Sequence, residues 1–311
     1  MGDNMRKIMT KKNMITAASI AAGYLLVDLL MKAGIIDSYI FLNLVSIGLN
    51  IILAVSLNLI TGFTGQFSLG HAAFMSIGAY ASGILTVKFD LPFSLGILGA
   101  ALSAAAAGLF IGIPTLRLKG DYLAIATLGF GEIVRIVGLN SDYIGGAMGL
   151  NDIPRYTNWP WLYSMVLFTI IVIHNFIHSY HGRAVLSIKE DELASTAMGV
   201  PVSRYKILVF SMGAFFAGIA GALYANYFYF IRPDSFGFMK SIDILVIVVL
   251  GGLGSIKGSV ISAVVLSLLS LSLQGIPELR MVIYAVILFI MMVYKPQNIL
   301  KKLIRKVWKE A

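Results

Sequence analysis

The chain has 311 residues, of which 58% are hydrophobic and only 13% charged, with a formal net charge of +9. A soluble domain carries about a quarter charged residues, and here the apolar residues come in long runs, so an ordinary soluble fold is excluded and many membrane-spanning helices are expected. The absence of cysteine excludes disulfides, thiolate metal sites and a cysteine nucleophile, and the positive charge reads as basic residues on the cytoplasmic side of a membrane rather than as a nucleic-acid footprint.

The apolar runs predict an all-α polytopic membrane protein with about ten transmembrane helices. They fall near 14–36, 39–60, 67–87, 94–113, 121–139, 160–179, 207–230, 241–256, 258–274 and 280–294. Each is close to the length that a hydrocarbon core of about 30 Å demands at about 1.5 Å per residue. A tail (1–13) precedes this 14–294 transmembrane domain and a basic tail (295–311) follows it. The first run reads as an anchor. Its apolar core is too long for a cleaved signal peptide, and no small-x-small site follows it.

Between the second and third spans, Gly62 and Gly65 interrupt the apolar pattern, and Gln66, Ser68 and His71 follow. Two readings stand. A glycine-broken helix exposes backbone groups that can hold a polar solute where they line a wet cavity. The same residues also suit a tight cytoplasmic turn. The fourth span repeats small residues at Gly96, Ala100, Ala104, Gly108 and Gly112, and the seventh at Gly213, Ala217, Gly221 and Ala225. Such stripes let helices approach closely in lipid. In the fifth span, Glu132 and Arg135 stand three apart on one face near mid-span. A charge there costs about 2.5 kcal/mol or more on insertion scales, so the two should pair or face water, as a structural ion pair or as part of a path. His174, His178 and His181 have helical spacing but no neighbouring carboxylate, which speaks against a metal site.

Residues 181–206 form a polar island between the sixth and seventh spans. Glu190, Asp191 and Glu192 are expected at a helix start, where the dipole favours negative charge. Leu193, Ala194, Ala197 and Met198 then share one face, Gly199 caps the end, and Pro201 stops the helix. The expectation is one short helix over 189–199 with an apolar knob. Its acidic start fits a groove on a partner protein better than an anionic bilayer surface.

Placing both termini in the cytoplasm puts seventeen of the 24 lysines and arginines inside and six outside, with Arg135 within a span. That bias has the expected direction, and it puts the island inside as well. The chain has no phosphate loop: the run Gly252 to Ser259 ends Lys-Gly-Ser, the wrong order. Any energy the protein uses must come from another subunit or an ion gradient. A secondary transporter using Glu132 and Asp243 as carriers would need no docking helix, and a membrane enzyme would need a polar constellation that the sequence does not offer.

Four blocks carry a family resemblance: Thr-Gly-Phe-Thr-Gly-Gln-Phe-Ser-Leu-Gly-His-Ala-Ala-Phe (61–74), Leu-Lys-Gly-Asp-Tyr-Leu-Ala-Ile-Ala-Thr-Leu-Gly-Phe-Gly-Glu-Ile-Val-Arg (118–135), the island with its following span (182–224), and Pro-Asp-Ser-Phe-Gly-Phe with Val-Val-Leu-Gly-Gly-Leu-Gly-Ser (233–238, 248–255). With these the chain resembles the LivM-type permease subunits of branched-chain amino acid ABC importers, and the island resembles their cytoplasmic coupling loop. The resemblance implies a bacterial inner-membrane subunit. Its partners would be a second, LivH-type permease, two cytoplasmic ATPases that bind the ATP and magnesium, and an extracytoplasmic solute-binding protein. No cofactor is expected in this chain. Relatives that import urea, amides or other small polar solutes share the same pattern.

Overall fold

The computed structural model describes residues 22–34, 36–115, 118, 120–272, 282, 283, 286 and 289. The 1–13 tail, the start of the first predicted span, most of the tenth, the 295–311 tail, Arg117 and Lys119 lie outside the described residues. The chain divides into two compact units, Met1–Ser46 and Ile47–Ala311. In the first, α1 is helical over 22–32 and carries a 2.7 Å ion pair between Lys32 and Asp28, one turn apart. Helix α2 (Ser38–Asn58) begins in this unit and ends in the other.

The second unit continues with α3 (His71–Val87), α4 (Phe93–Thr115), α5 (Asp121–Leu139), α6 (Trp159–His178), α7 (Tyr180–Glu190), α8 (Glu192–Ala197), α9 (Val202–Phe228), α10 (Phe238–Gly251) and α11 (Ile256–Ser272). Among the described residues the one β feature is an antiparallel bridge between Leu150 and Ile231. Five helical segments are long and apolar enough to cross a membrane: Ser38–Phe63, Phe93–Thr115, Asp121–Leu139, Trp159–His178 and Val202–Phe228. His71–Val87 and Ile256–Leu271 are shorter apolar helices. The third predicted span therefore starts four residues late. Its helix of 17 residues covers about 25 Å, short of a full hydrocarbon core.

Helix α9 lies at the centre of this unit. Ala214, Ala217, Ala220, Ala222, Leu223 and Ala225 along it are fully buried. Its small residues admit α3 and α4 at backbone contact. A Cβ on Gly221 would stand 2.1 Å from the Met75 carbonyl of α3, and one on Gly78 would stand 2.4 Å from the Gly218 Cα. On the α4 side, a Cβ on Gly218 would meet the Ala100 carbonyl at 2.5 Å, and one on Gly108 the Ala214 Cβ at 2.7 Å. The stripes read from the sequence are thus the seams of a three-helix contact. Lipid offers no hydrophobic drive between helices, so close van der Waals packing must hold them. Helices α10 and α11 close on each other in the same way: a Cβ on Gly251 would stand 2.5 Å from the Gly258 carbonyl carbon.

The helix ends gather in two sets. One holds the end of α2, the α7–α8 pair, the start of α9 and the α10–α11 turn, whereas α3 starts deeper, its Ala72 amide donating to Ser241 Oγ near the start of α10. The other is sealed by the Leu150–Ile231 bridge, by the Ile153 amide donating to the Tyr229 carbonyl (3.0 Å), and by buried Thr157, whose hydroxyl donates to the Leu223 carbonyl at 3.0 Å. There Lys88 stands 3.3 Å above the Tyr143 ring and Arg155 4.7 Å above that of Tyr227. Helices joined end to end between two such sets run alternately up and down, as consecutive membrane spans must.

Candidate functional site

The α2–α3 connection is the site's first element. After Asn58 the helix widens into a π-turn, Leu59–Phe63, and residues 64–70 are non-helical before α3 starts at His71. Glycine is required at two points. A Cβ on Gly62 would stand 1.7 Å from Asn58 Oδ1 and 2.4 Å from the Gly254 nitrogen, and Gly65 has φ +76°. Gly65 is exposed, whereas Gln66, Ser68 and His71 are buried. The segment is anchored along its length. The Gln66 amide donates to the Ile60 carbonyl (3.2 Å), Leu69 to Thr127 Oγ1 of α5 (3.0 Å), and Ala72 to Ser241 Oγ of α10 (3.2 Å).

Five buried polar atoms here have no hydrogen-bond partner among the described residues: Thr61 Oγ1, Gln66 Oε1 and Nε2, Ser68 Oγ and His71 Nδ1. The His71 Nε2 lies 2.8 Å from Ser56 Oγ, which also lies 3.1 Å from the Leu53 carbonyl oxygen. Nε2 is thus the ring nitrogen that finds a partner, and Nδ1 is the one left without. Leaving such atoms unsatisfied costs about 1–3 kcal/mol each. All five lie within the eleven residues 61–71.

Asn58, which sequence reasoning did not single out, joins this break to a second one. Its Oδ1 accepts from the Gly254 amide at 2.8 Å, and its Nδ2 donates to the Ser255 carbonyl (3.1 Å) and Ser259 Oγ (2.8 Å). The α10–α11 turn needs its glycines, with φ +88° at Gly252 and +87° at Gly254. The available signal was an asparagine in an apolar run, one of three in α2 with Asn43 and Asn50, since a polar group at membrane depth must find partners.

The island differs from the expected single helix over 189–199. Helix α7 runs to Glu190, Asp191 takes an extended conformation (φ −154°, ψ 112°), and α8 begins at Glu192. Asp191 Oδ1 accepts from the Leu193 and Ala194 amides at 2.9 and 3.0 Å, so a strong N-cap inside the predicted helix splits it. The three acidic residues thus have three places: Glu190 ends α7, Asp191 caps α8, and Glu192 opens it. Gly199 (φ +81°) closes α8, with its amide on the Thr196 carbonyl and that of Val200 on Ser195. Leu193, Ala194, Ala197 and Met198 are all exposed, Leu193 to 77% and Met198 to 84%, while Ser195 faces inward. A 2.8 Å ion pair from Glu192 to Lys206 fastens α8 to α9.

Helix α5 has the expected bounds, Asp121–Leu139, with Glu132 just past its middle and Arg135 one turn further on. Arg135 pairs with Glu132 (2.8 Å) and, across 99 residues, with Asp234 (2.9 Å) in the 3-10 turn after α9. The cluster joins the end of α5 to the turn after α9 and stands near the far end of the break, since a Cβ on Gly131, beside Glu132, would lie 4.0 Å from the Gly70 Cα. His178 Nδ1 contacts the His174 carbonyl (2.7 Å), and His181 Nδ1 lies 3.3 Å from the Tyr205 hydroxyl. No three potential metal-binding side chains cluster among the described residues.

The family model described as branched-chain amino acid transport system / permease component matches residues 39–292. The high-affinity branched-chain amino acid transport system permease protein LivM of Escherichia coli is 36% identical over 285 residues, covering 80% of this chain and 67% of that protein. A probable LivM permease of Methanocaldococcus jannaschii is 26% identical over 81% of this chain and 90% of its own length. The LivH permease of Escherichia coli is 24% identical over 70% and 79%. No solved structure matches.

Proposed function

We infer the function of this chain from its family: it belongs to the branched-chain amino acid transport permeases, and it is a multi-pass membrane subunit of an ABC importer. Its substrates in this reading are leucine, isoleucine and valine, and its site is the bacterial inner membrane. A second, LivH-type permease completes the path, two cytoplasmic ATPases bind ATP and magnesium, and an extracytoplasmic protein delivers the solute. The chain crosses ten times, with the 1–13 and 295–311 tails and the 181–206 loop in the cytoplasm. Basic residues between 47 and 272 divide evenly, five to each set of helix ends once Arg117 and Lys119 are left aside. The excess that orients the chain therefore lies in its two tails and in that pair.

One observation carries the coupling part of this reading: Leu193 and Met198 stand almost fully exposed on a helix capped at both ends and pinned to α9. Exposed apolar side chains on so rigid a mount fit a groove on another protein. ATP-driven closure of the ATPases pushes on α7 and α8, and the bundle reorients so that the path opens alternately to each side. Within the path, Gly62 and Gly65 break the helix. Gln66, Ser68 and His71 offer the carboxylate and ammonium of the solute the hydrogen bonds that the protein leaves unfilled. Glu132 and Arg135, tied to Asp234, hold the extracytoplasmic end of α5.

The test is uptake of labelled leucine by the full assembly reconstituted in vesicles. Gln66→Ala and Ser68→Ala are expected to raise the KM for uptake while the ATPases still co-purify. Unchanged uptake kinetics in both variants would remove the break from the path. An assembly that ignores leucine, isoleucine and valine but carries urea or an amide would move the chain to that substrate class.

A further inference from the structure

We propose that Lys189 is the positioning residue through which the α7–α8 pair moves both helix breaks. This rests on the coupling role given to that pair above. Lys189 is the penultimate residue of α7 and touches both breaks. A Cβ built on Gly65 would stand 3.6 Å from Lys189 Cγ and 4.0 Å from its Cα. One built on Gly254 would stand 3.3 Å from Lys189 Nζ and 3.2 Å from the Gly62 carbonyl oxygen. The stem of one side chain thus covers the α2–α3 break, and its ammonium reaches the α10–α11 turn where that turn meets Gly62.

Three further features make this contact a transmission point. Gly65 and Gly254 both have positive φ, +76° and +87°, so the lysine rests on bare backbone at the two places where a side chain would be strained. Asn58 binds the two breaks to each other through Gly254, Ser255 and Ser259, so they move as one piece. Helix α7 is built as a lever. Its start is locked against α6: Ser179 caps it, and a Cβ on Gly182 would stand 2.2 Å from the Ile177 carbonyl. Val185 and Ile188 are buried along its inner side. The far end of α7 meets α8 through the single extended residue Asp191. A displacement of exposed Leu193 and Met198, four and nine residues along the chain, is therefore delivered to Lys189 through Asp191. The remote route along the whole of α9 is not needed.

The experiment uses the complete assembly in vesicles and measures ATPase co-purification, ATP hydrolysis and leucine uptake in parallel. Lys189→Ala is expected to keep the ATPases bound and hydrolysing while uptake per ATP falls about tenfold, within the usual range of coupling between sites. Lys189→Arg, which keeps the length and charge, is expected to remain coupled. Wild-type uptake per ATP in Lys189→Ala overturns the assignment. So does a loss of uptake that merely follows a loss of bound ATPase, because Lys189 would then be a docking contact. If the unaltered assembly takes up no solute of any class, the transport reading itself falls, and that outcome is distinct from a coupled Lys189→Ala variant.

Discussion

Asn58→Ala should destabilise the protein by about 2 to 4 kcal/mol. The substitution removes three hydrogen bonds, from the Gly254 amide and to the Ser255 carbonyl and Ser259 hydroxyl, at 2.8, 3.1 and 2.8 Å. Hydrogen bonds between membrane helices average about 0.6 kcal/mol each, because the unfolded chain in a bilayer also finds partners, and three give the lower figure. The upper figure adds the orphaning of the Gly254 amide, a further 1–3 kcal/mol where water does not replace the asparagine. The Ser255 carbonyl is not orphaned in the same way, since Ser259 Oγ already donates to it at 3.1 Å. The assay is thermal unfolding of purified protein in nanodiscs, followed by tryptophan fluorescence, with Asn58→Asp alongside. The Asn58→Asp variant keeps an acceptor for the Gly254 amide but sets a charge against the Ser255 carbonyl, so it should recover less than half of the loss. A midpoint for Asn58→Ala indistinguishable from wild type would refute the idea that this side chain staples the two breaks.

The other expectations are smaller or local. Arg135→Gln breaks both of its ion pairs, yet the three side chains are 30%, 35% and 68% exposed. The cost should stay below about 1 kcal/mol and shrink further in high salt; a larger, salt-independent loss in the same melting assay would contradict this. Gly199→Ala meets no atom within 4 Å, so its cost is purely the φ of +81°, about 1 kcal/mol. Hydrogen exchange should show it as faster exchange of the Val200 amide, which bonds to Ser195, with α9 unaffected. Leu193→Asp should leave the melting midpoint within about 0.5 kcal/mol of wild type, as an exposed position does, while the ATPases cease to co-purify. Retained ATPase in that variant would exclude α8 as the docking knob.

The island shows where sequence reasoning stops. Its exposed apolar face, its glycine end and the proline after it are local properties, and they were legible as such. The split at Asp191 was not, because an aspartate next to two glutamates serves equally as a first-turn residue or as a cap. The structure shows it as the cap, with Asp191 Oδ1 accepting from the Leu193 and Ala194 amides. Asp234 is a parallel case: Glu132 and Arg135 share a helix face and can be paired by counting, but their third partner lies 99 residues away from Arg135 in sequence.

The sequence by itself determined the class of the protein and the position of nearly every described helix, because burying twenty apolar residues in lipid leaves the backbone no choice but to satisfy itself within the segment. It also determined that Gly62, Gly65 and their polar neighbours would interrupt the pattern. Only the tertiary structure decided what that interruption touches. Contact between residues far apart in the chain is fixed by which helices pack closely, and here glycine-lined seams on α9 draw α3 and α4 together. The same packing brings Gly254, Asn58 and Lys189 to one place, and no period in the sequence records that meeting.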